Sequence, residues 1–144
     1  MNNLSASLED YLEMICNLIE DTGGAKAIEI AKKFNISRAS VSEALGKLAE
    51  KELIIYEGHK GIRITEKGLS RAKKVIRKHN TLTDFFENTL GIEKNIAESN
   101  ACKIEHVVSE DVFDTLEAFQ SYCHENSEFI EKFKKGYLKS KNNE

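Results

Sequence analysis

Between residues 26 and 65 the apolar side chains change their spacing, and that change restricts the fold more than any other feature of the chain. Ile28, Ala31 and Phe34 mark the inner face of a short helix, and Asn35 and Ile36 form a tight connection. Val41, Leu45 and Leu48 then mark the inner face of a second helix beginning at Ser37. The period drops to two immediately afterwards. Residues 53–56 are β-prone and Ile62-Arg63-Ile64-Thr65 alternates strictly, with Glu57-Gly58-His59-Lys60-Gly61 between them, which predicts a hairpin with a basic tip. Two short helices, a turn of about three residues and a hairpin follow the order of a winged helix-turn-helix.

Helical periodicity flanks this core on both sides. Leu8, Tyr11, Leu12, Ile15, Leu18 and Ile19 fall on one face, with Ser7 as the expected N-cap and Gly23-Gly24 as the stop. After the hairpin, Thr65 is placed to cap a long helix running through Leu69, Ala72, Val75, Ile76, Leu82, Phe85 and Phe86 to Leu90, ended by Gly91. Further helices carry Ile96, Ala101, Ile104 and Val108, then Val112, Leu116 and Phe119 behind a Ser109 cap, then Phe129, Ile130 and Phe133. Residues 139–144 are expected to fray. The fold class is mainly α with a small β-hairpin, divided into a winged helix-turn-helix at 1–70 and a helical domain at 71–144.

With 144 residues the chain is too short for a large multidomain enzyme. No apolar run approaches the roughly 20 residues needed to cross a bilayer, so no membrane span is expected. The opening Met-Asn-Asn-Leu-Ser has neither basic flank nor apolar stretch, which points to the cytoplasm. Cys16, Cys102 and Cys123 are odd in number and widely spaced, so they form no disulfide framework.

The net charge of -3 hides a segregation along the chain: residues 1–24 carry -5, residues 25–80 carry +8 and residues 81–144 carry -6. A basic middle fits phosphate neutralisation. If Val41 and Leu45 anchor the second helix inward, Arg38, Ala39, Ser42, Glu43 and Lys47 face outward into a major groove, and Glu43 can accept from a cytosine amino group. Ser37 and the helix N-terminus suit a phosphate, as do Lys60 and Arg63 on the hairpin. The same elements also serve as a protein-interaction module, but such a module does not need charge concentrated on this segment.

Cys102, Glu105 and His106 stand at i, i+3 and i+4, so one helical turn would project thiol, carboxylate and imidazole to one side. Asp10 and Glu13 repeat the i, i+3 spacing on the first helix, and His79 lies on the apolar side of the long helix. Each also has a plain reading. Asp10 could complete a capping box with Ser7, Glu13 could be a solvated surface residue, Cys102 a small core filler and His79 a core histidine. Cys123-His124 is adjacent in sequence and is taken as structural. An enzyme with zinc on Cys102, Glu105 and His106 is a competing reading that leaves the basic hairpin without a role. A winged-helix regulator insensitive to metal is another.

The chain resembles the diphtheria toxin repressor and manganese transport regulator family of metal-activated bacterial transcription factors. The resemblance rests on Ser7-Leu8-Glu9-Asp10-Tyr11-Leu12-Glu13, Val41-Ser42-Glu43-Ala44-Leu45, Leu53-Ile54-Ile55-Tyr56 with Gly61-Ile62-Arg63-Ile64-Thr65, and Ile104-Glu105-His106-Val107-Val108-Ser109. It implies that the second half is a dimerisation domain, and that Asp10, Glu13, His79, Cys102, Glu105 and His106 occupy metal-ligand positions. It further implies Mn(II) or Fe(II) as cofactor, and a homodimer on a palindromic operator in double-stranded DNA. Cys102 departs from the manganese branch, which has a carboxylate there, and Asp10 departs from the iron branch, which has methionine. Thr83 and Glu98 depart from the iron branch's second site. The expected form is the short one, without an SH3-like domain.

Overall fold

The structure, a computed structural model, describes residues 4–141, without the side chains of residue 59 and residues 138–141. The chain divides into two compact units, Met1–Ile76 and Arg77–Glu144. As expected, the fold is mainly helical with one antiparallel hairpin.

In the first unit, α1 (Ala6–Thr22) is capped by Ser5, whose hydroxyl accepts from the Leu8 amide at 3.4 Å. Ser7 is therefore not the cap, and Asp10 is not at the capping-box position. Gly23 ends the helix at φ 77, donating its amide to the Ile19 carbonyl. The short α2 (Ala27–Lys33) turns Ile30 and Ala31 inward and leaves Ile28 exposed, against expectation. Residues two apart on a helix point about 160° from one another, so Ile28 and Ile30 cannot both reach the core. Asn35, at φ 52, makes the turn, and the Ile36 amide closes it on the Ala31 carbonyl at 3.0 Å. The next helix, α3 (Arg38–Glu50), is capped by Ser37 and buries Val41, Ala44, Leu45 and Leu48.

The hairpin pairs β1 (Ile54–Tyr56) with β2 (Ile62–Ile64) in the register Ile54↔Ile64, Ile55↔Arg63 and Tyr56↔Ile62, across a 3-10 turn at Gly58–Lys60. It is anchored to the helices through Ala25, whose carbonyl accepts from the Ile62 amide at 2.8 Å. Thr65 begins the next helix as expected: its hydroxyl accepts from the Gly68 amide at 3.0 Å and donates to the Glu52 carbonyl at 2.8 Å. Gly68 is required here, since a Cβ would stand 1.9 Å from the Leu53 carbonyl oxygen. Side chains from α1, α2, α3, the hairpin and Ala72 of the long helix merge into one apolar cluster around Leu12, Ile15, Ile30 and Leu45.

The long helix α4 (Glu66–Asp84) carries the chain across the division at Ile76. It stops short of the expected Leu90, because Phe85–Thr89 form a π-helical turn with a Leu90 amide to Phe85 carbonyl bond at 3.0 Å. Gly91, at φ 74, ends the segment where glycine was expected. In the second unit, α5 (Lys94–Ile104) buries Ala97 and Ala101, and α6 (Glu110–Glu125) buries Phe113, Gln120 and Cys123. The expected inner face with Val112 and Phe119 is displaced by one position, since both are exposed. Phe113 takes the inward place, with the Arg77 guanidinium 5.0 Å from its ring centre. Finally, α7 (Ser127–Lys141) includes residues expected to fray; residues 142–144 of that expectation, and residues 1–3 of the opening segment, lie outside the described residues.

Candidate metal centre and nucleic-acid interface

The second unit brings His79, Glu105 and His106 together. Ala101 and Ala97 hold α5 against its neighbours, and the helix ends at Ile104, so Glu105 is its C-cap and His106 lies in the following turn. The expected single helical turn is thus cut before its last ligand, although Glu105 keeps helical dihedrals at φ -55 and ψ -32. The Glu105 carboxylate is fully enclosed. Its Oε2 lies 2.8 Å from His79 Nδ1. Its Oε1 lies 3.3 Å from His106 Nε2, yet has no hydrogen-bond partner among the described residues. An enclosed carboxylate oxygen short of a donor is costly, and a cation is the simplest group that would satisfy it. Two imidazoles and a carboxylate form a donor set suited to a divalent transition metal.

The other expected ligands are placed unit by unit. Cys102 is exposed, one turn before Glu105, so the core-filler reading of this thiol is wrong. Cys16 and Cys123 are the buried thiols, and burial pushes the Cys16 thiol up from its ordinary value. In the first unit, Asp10 and Glu13 are half-buried on α1. Their neighbour Glu9 is buried and gripped by the Arg71 guanidinium through two nitrogens at 3.0 and 2.6 Å. This pair spans sixty-two positions and had no signal in local periodicity.

The DNA-directed set is exposed throughout: Ser37, Arg38, Ala39, Ser42, Glu43 and Lys47 on or beside α3, Lys60 and Arg63 on the hairpin. Ser37 accepts from the Ser40 amide at 3.0 Å, and the two hydroxyls lie 2.8 Å apart. Ser40 thus joins the helix start, a residue the spacing argument passed over. Glu43 is paired with Lys47 at 2.6 Å, and that hydrogen bond holds its carboxyl below the ordinary value and the lysine above its own. Glu57 lies 3.7 Å from Lys60 and 3.8 Å from Arg63, so the hairpin carries an internal carboxylate beside both cations. No helix among the described residues is long and apolar enough to cross a membrane.

Both halves of the chain match known protein families. Residues 3–62 match the family described as iron dependent repressor, N-terminal DNA binding domain. Residues 65–132 match the iron dependent repressor, metal binding and dimerisation domain. An uncharacterised HTH-type transcriptional regulator of Methanocaldococcus jannaschii is 38% identical over 117 residues, covering 81% of this chain and 94% of that protein. The HTH-type transcriptional regulator MntR of Shouchella clausii is 32% identical over 125 residues, 87% of each chain. Among solved structures, the manganese regulator SloR superposes with a TM-score of 0.71 at 31% identity, covering 80% of this chain and 54% of the SloR chain. The chain therefore spans about half the length of that structure.

Proposed function

Because this chain belongs to the iron dependent repressor family of metal-dependent transcription regulators, which are not enzymes, we propose that it represses transcription from a palindromic operator when Mn(II) or Fe(II) is bound. In this reading a homodimer acts in the cytoplasm, residues 1–70 grip the DNA, and residues 71–144 hold the ion and the second copy. Asp10 and Glu13 from α1, with His79, Cys102, Glu105 and His106, would hold the ion. Ser37, Arg38, Ala39, Ser42, Glu43 and Lys47 would face the major groove, and Lys60 and Arg63 the adjacent backbone.

The observation that carries this reading is the enclosed Glu105 carboxylate, with one oxygen on His79 and the other lacking a donor although His106 is close by. A bound divalent ion supplies positive charge that offsets the carboxylates. His79 fixes one Glu105 oxygen and leaves the other directed at His106. On the opposite side of the scheme, α1 shares its apolar cluster with α3, so any restraint on Asp10 and Glu13 is felt by the reading helix. If Asp10 and Glu13 join the other proposed ligands on one ion, ion affinity and DNA affinity would change by one common factor. Oxygen-rich ligation favours Mn(II), while the Cys102 thiolate and the imidazoles draw the preference toward Fe(II).

The test is fluorescence anisotropy on a duplex enriched by selection with the Mn(II)-loaded chain, repeated with Fe(II), Zn(II) and chelator. Chelation should weaken binding by roughly 5- to 150-fold. Glu105→Ala and His106→Ala should each remove that response. If affinity is indifferent to chelator and to both substitutions, the regulator is insensitive to metal.

A further inference from the structure

The first turn of α1 is less firmly packed than the middle of that helix. Leu4, just before it, and Leu8, within it, each keep 9% of their surface exposed, whereas Leu12 and Ile15 keep none. The Ser5 cap is long as well, at 3.4 Å from the Leu8 amide, where a firm bond from nitrogen to oxygen runs to about 3.2 Å. An ion pair supplies further hold on this turn. The Glu9 side chain is only 10% exposed, and its Oε1 accepts from both Nε and Nη2 of Arg71, on the second turn of α4, at 3.0 and 2.6 Å. Charge-assisted bonds of this kind are among the strongest a side chain makes. Removing one member of a buried pair leaves the other charge without compensation away from water.

We propose that Arg71 is a positioning residue for the ion: through Glu9 it fixes the first turn of α1, and with it the place of Asp10, the next residue. This rests on the reading above in which Asp10 is a ligand. Without the guanidinium, a carboxylate in so enclosed a place regains solvation only if the turn unwinds or rotates, and Asp10 moves with it. Glu13 is held differently. It stands a turn further on, between the fully buried Leu12 and Ile15, where apolar burial anchors the helix. Arg71 therefore supports one of the two α1 ligands and not the other. Arginine suits the task because its charge persists at every pH at which the chain folds and its planar fork holds an oxygen in a fixed direction.

A double-mutant cycle on Mn(II) affinity, measured by titration calorimetry of the full chain, tests this. Arg71→Met keeps the apolar stem and should weaken Mn(II) binding on the order of tenfold. Added to Asp10→Asn it should weaken binding little further, because the ligand it positions is already gone. Added to Glu13→Gln, the two losses should multiply. In the absence of metal, amide hydrogen exchange of Arg71→Met should quicken roughly tenfold at residues 8–10 and stay unchanged at residues 15–18. If Arg71→Met loses its helical circular dichroism, Arg71→Lys, which keeps the charge but offers Glu9 one nitrogen in place of two, should show the same pattern at smaller amplitude. Losses that multiply with Asp10→Asn, or exchange at residues 8–10 that stays slow, overturn the role of Arg71 while Asp10 remains a ligand. Mn(II) affinity unmoved by Asp10→Asn itself overturns the ligand reading beneath it.

Discussion

The first unit closes on itself and the second does not. From Leu4 to Ala72 a continuous series of apolar side chains is buried in one cluster, and among the described residues the large apolar side chains left exposed there are Ile28 and Ile55. In the second unit the buried apolar residues are Leu82, Ala97, Ala101, Phe113 and Cys123, while Ile96, Val107, Val112, Phe119, Tyr122, Phe129, Phe133 and Tyr137 are exposed. Three of its buried positions are occupied instead by Thr89, Glu105 and Gln120. Exposed apolar side chains in that number are unusual for a unit that packs only against itself. The difference teaches that folding alone accounts for the first half, whereas folding leaves much of the apolar surface of the second in contact with water.

Substitutions should separate the two halves accordingly. Leu45→Ala should cost about 3 kcal/mol, because it empties a fully enclosed site, and Gly68→Ala a comparable amount through its clash with the Leu53 carbonyl. Phe129→Ala should cost the chain itself far less; urea unfolding monitored by circular dichroism at dilute concentration compares them, and equal losses would erase the contrast. Glu105→Gln should leave helix content unchanged but abolish the metal response of DNA binding, a loss of up to roughly 150-fold that titration calorimetry with Mn(II) should mirror. Ser37→Ala should destabilise the first unit by about 1 kcal/mol through loss of the α3 cap, seen as a lower urea midpoint. Lys60→Ala and Arg63→Ala should each lower the salt slope of DNA binding by about 1, whatever the base sequence. The smallest effect concerns pH. Lys47 lowers the Glu43 carboxyl, so whatever stability the pair adds is present above the ordinary glutamate range and fades as pH falls through the lowered value. Lys47→Ala should move the Glu43 NMR titration upward.

What could be foreseen from the residues was whatever local spacing fixes. The Ser37 cap, the inward Val41, Leu45 and Leu48, the hairpin and the Thr65 cap all follow from neighbours within a few positions. Where two local solutions compete, spacing alone failed. Ser5 and Ser7 both precede α1, Ile28 and Ile30 both offer an apolar face to α2, and Val112 and Phe113 are rival starts for the inner face of α6; tertiary packing decides each. The π-helical turn at Phe85–Thr89 has no sequence period of its own. Of the candidate site, the clustering of His79 with Glu105 and His106 was foreseeable, but the end of α5 at Ile104 and the exposure of Cys102 were not. An amphipathic pattern such as that of α7 tells which side is greasy and nothing about what lies against it.

Glu57 gives the hairpin a built-in competitor. A phosphate approaching Lys60 and Arg63 meets a carboxylate already within 4 Å of both, an exposed pairing that is exchanged at little cost. In the proposed complex with DNA, that carboxylate would offset part of the charge of both cations and temper the pull of the wing on a phosphate.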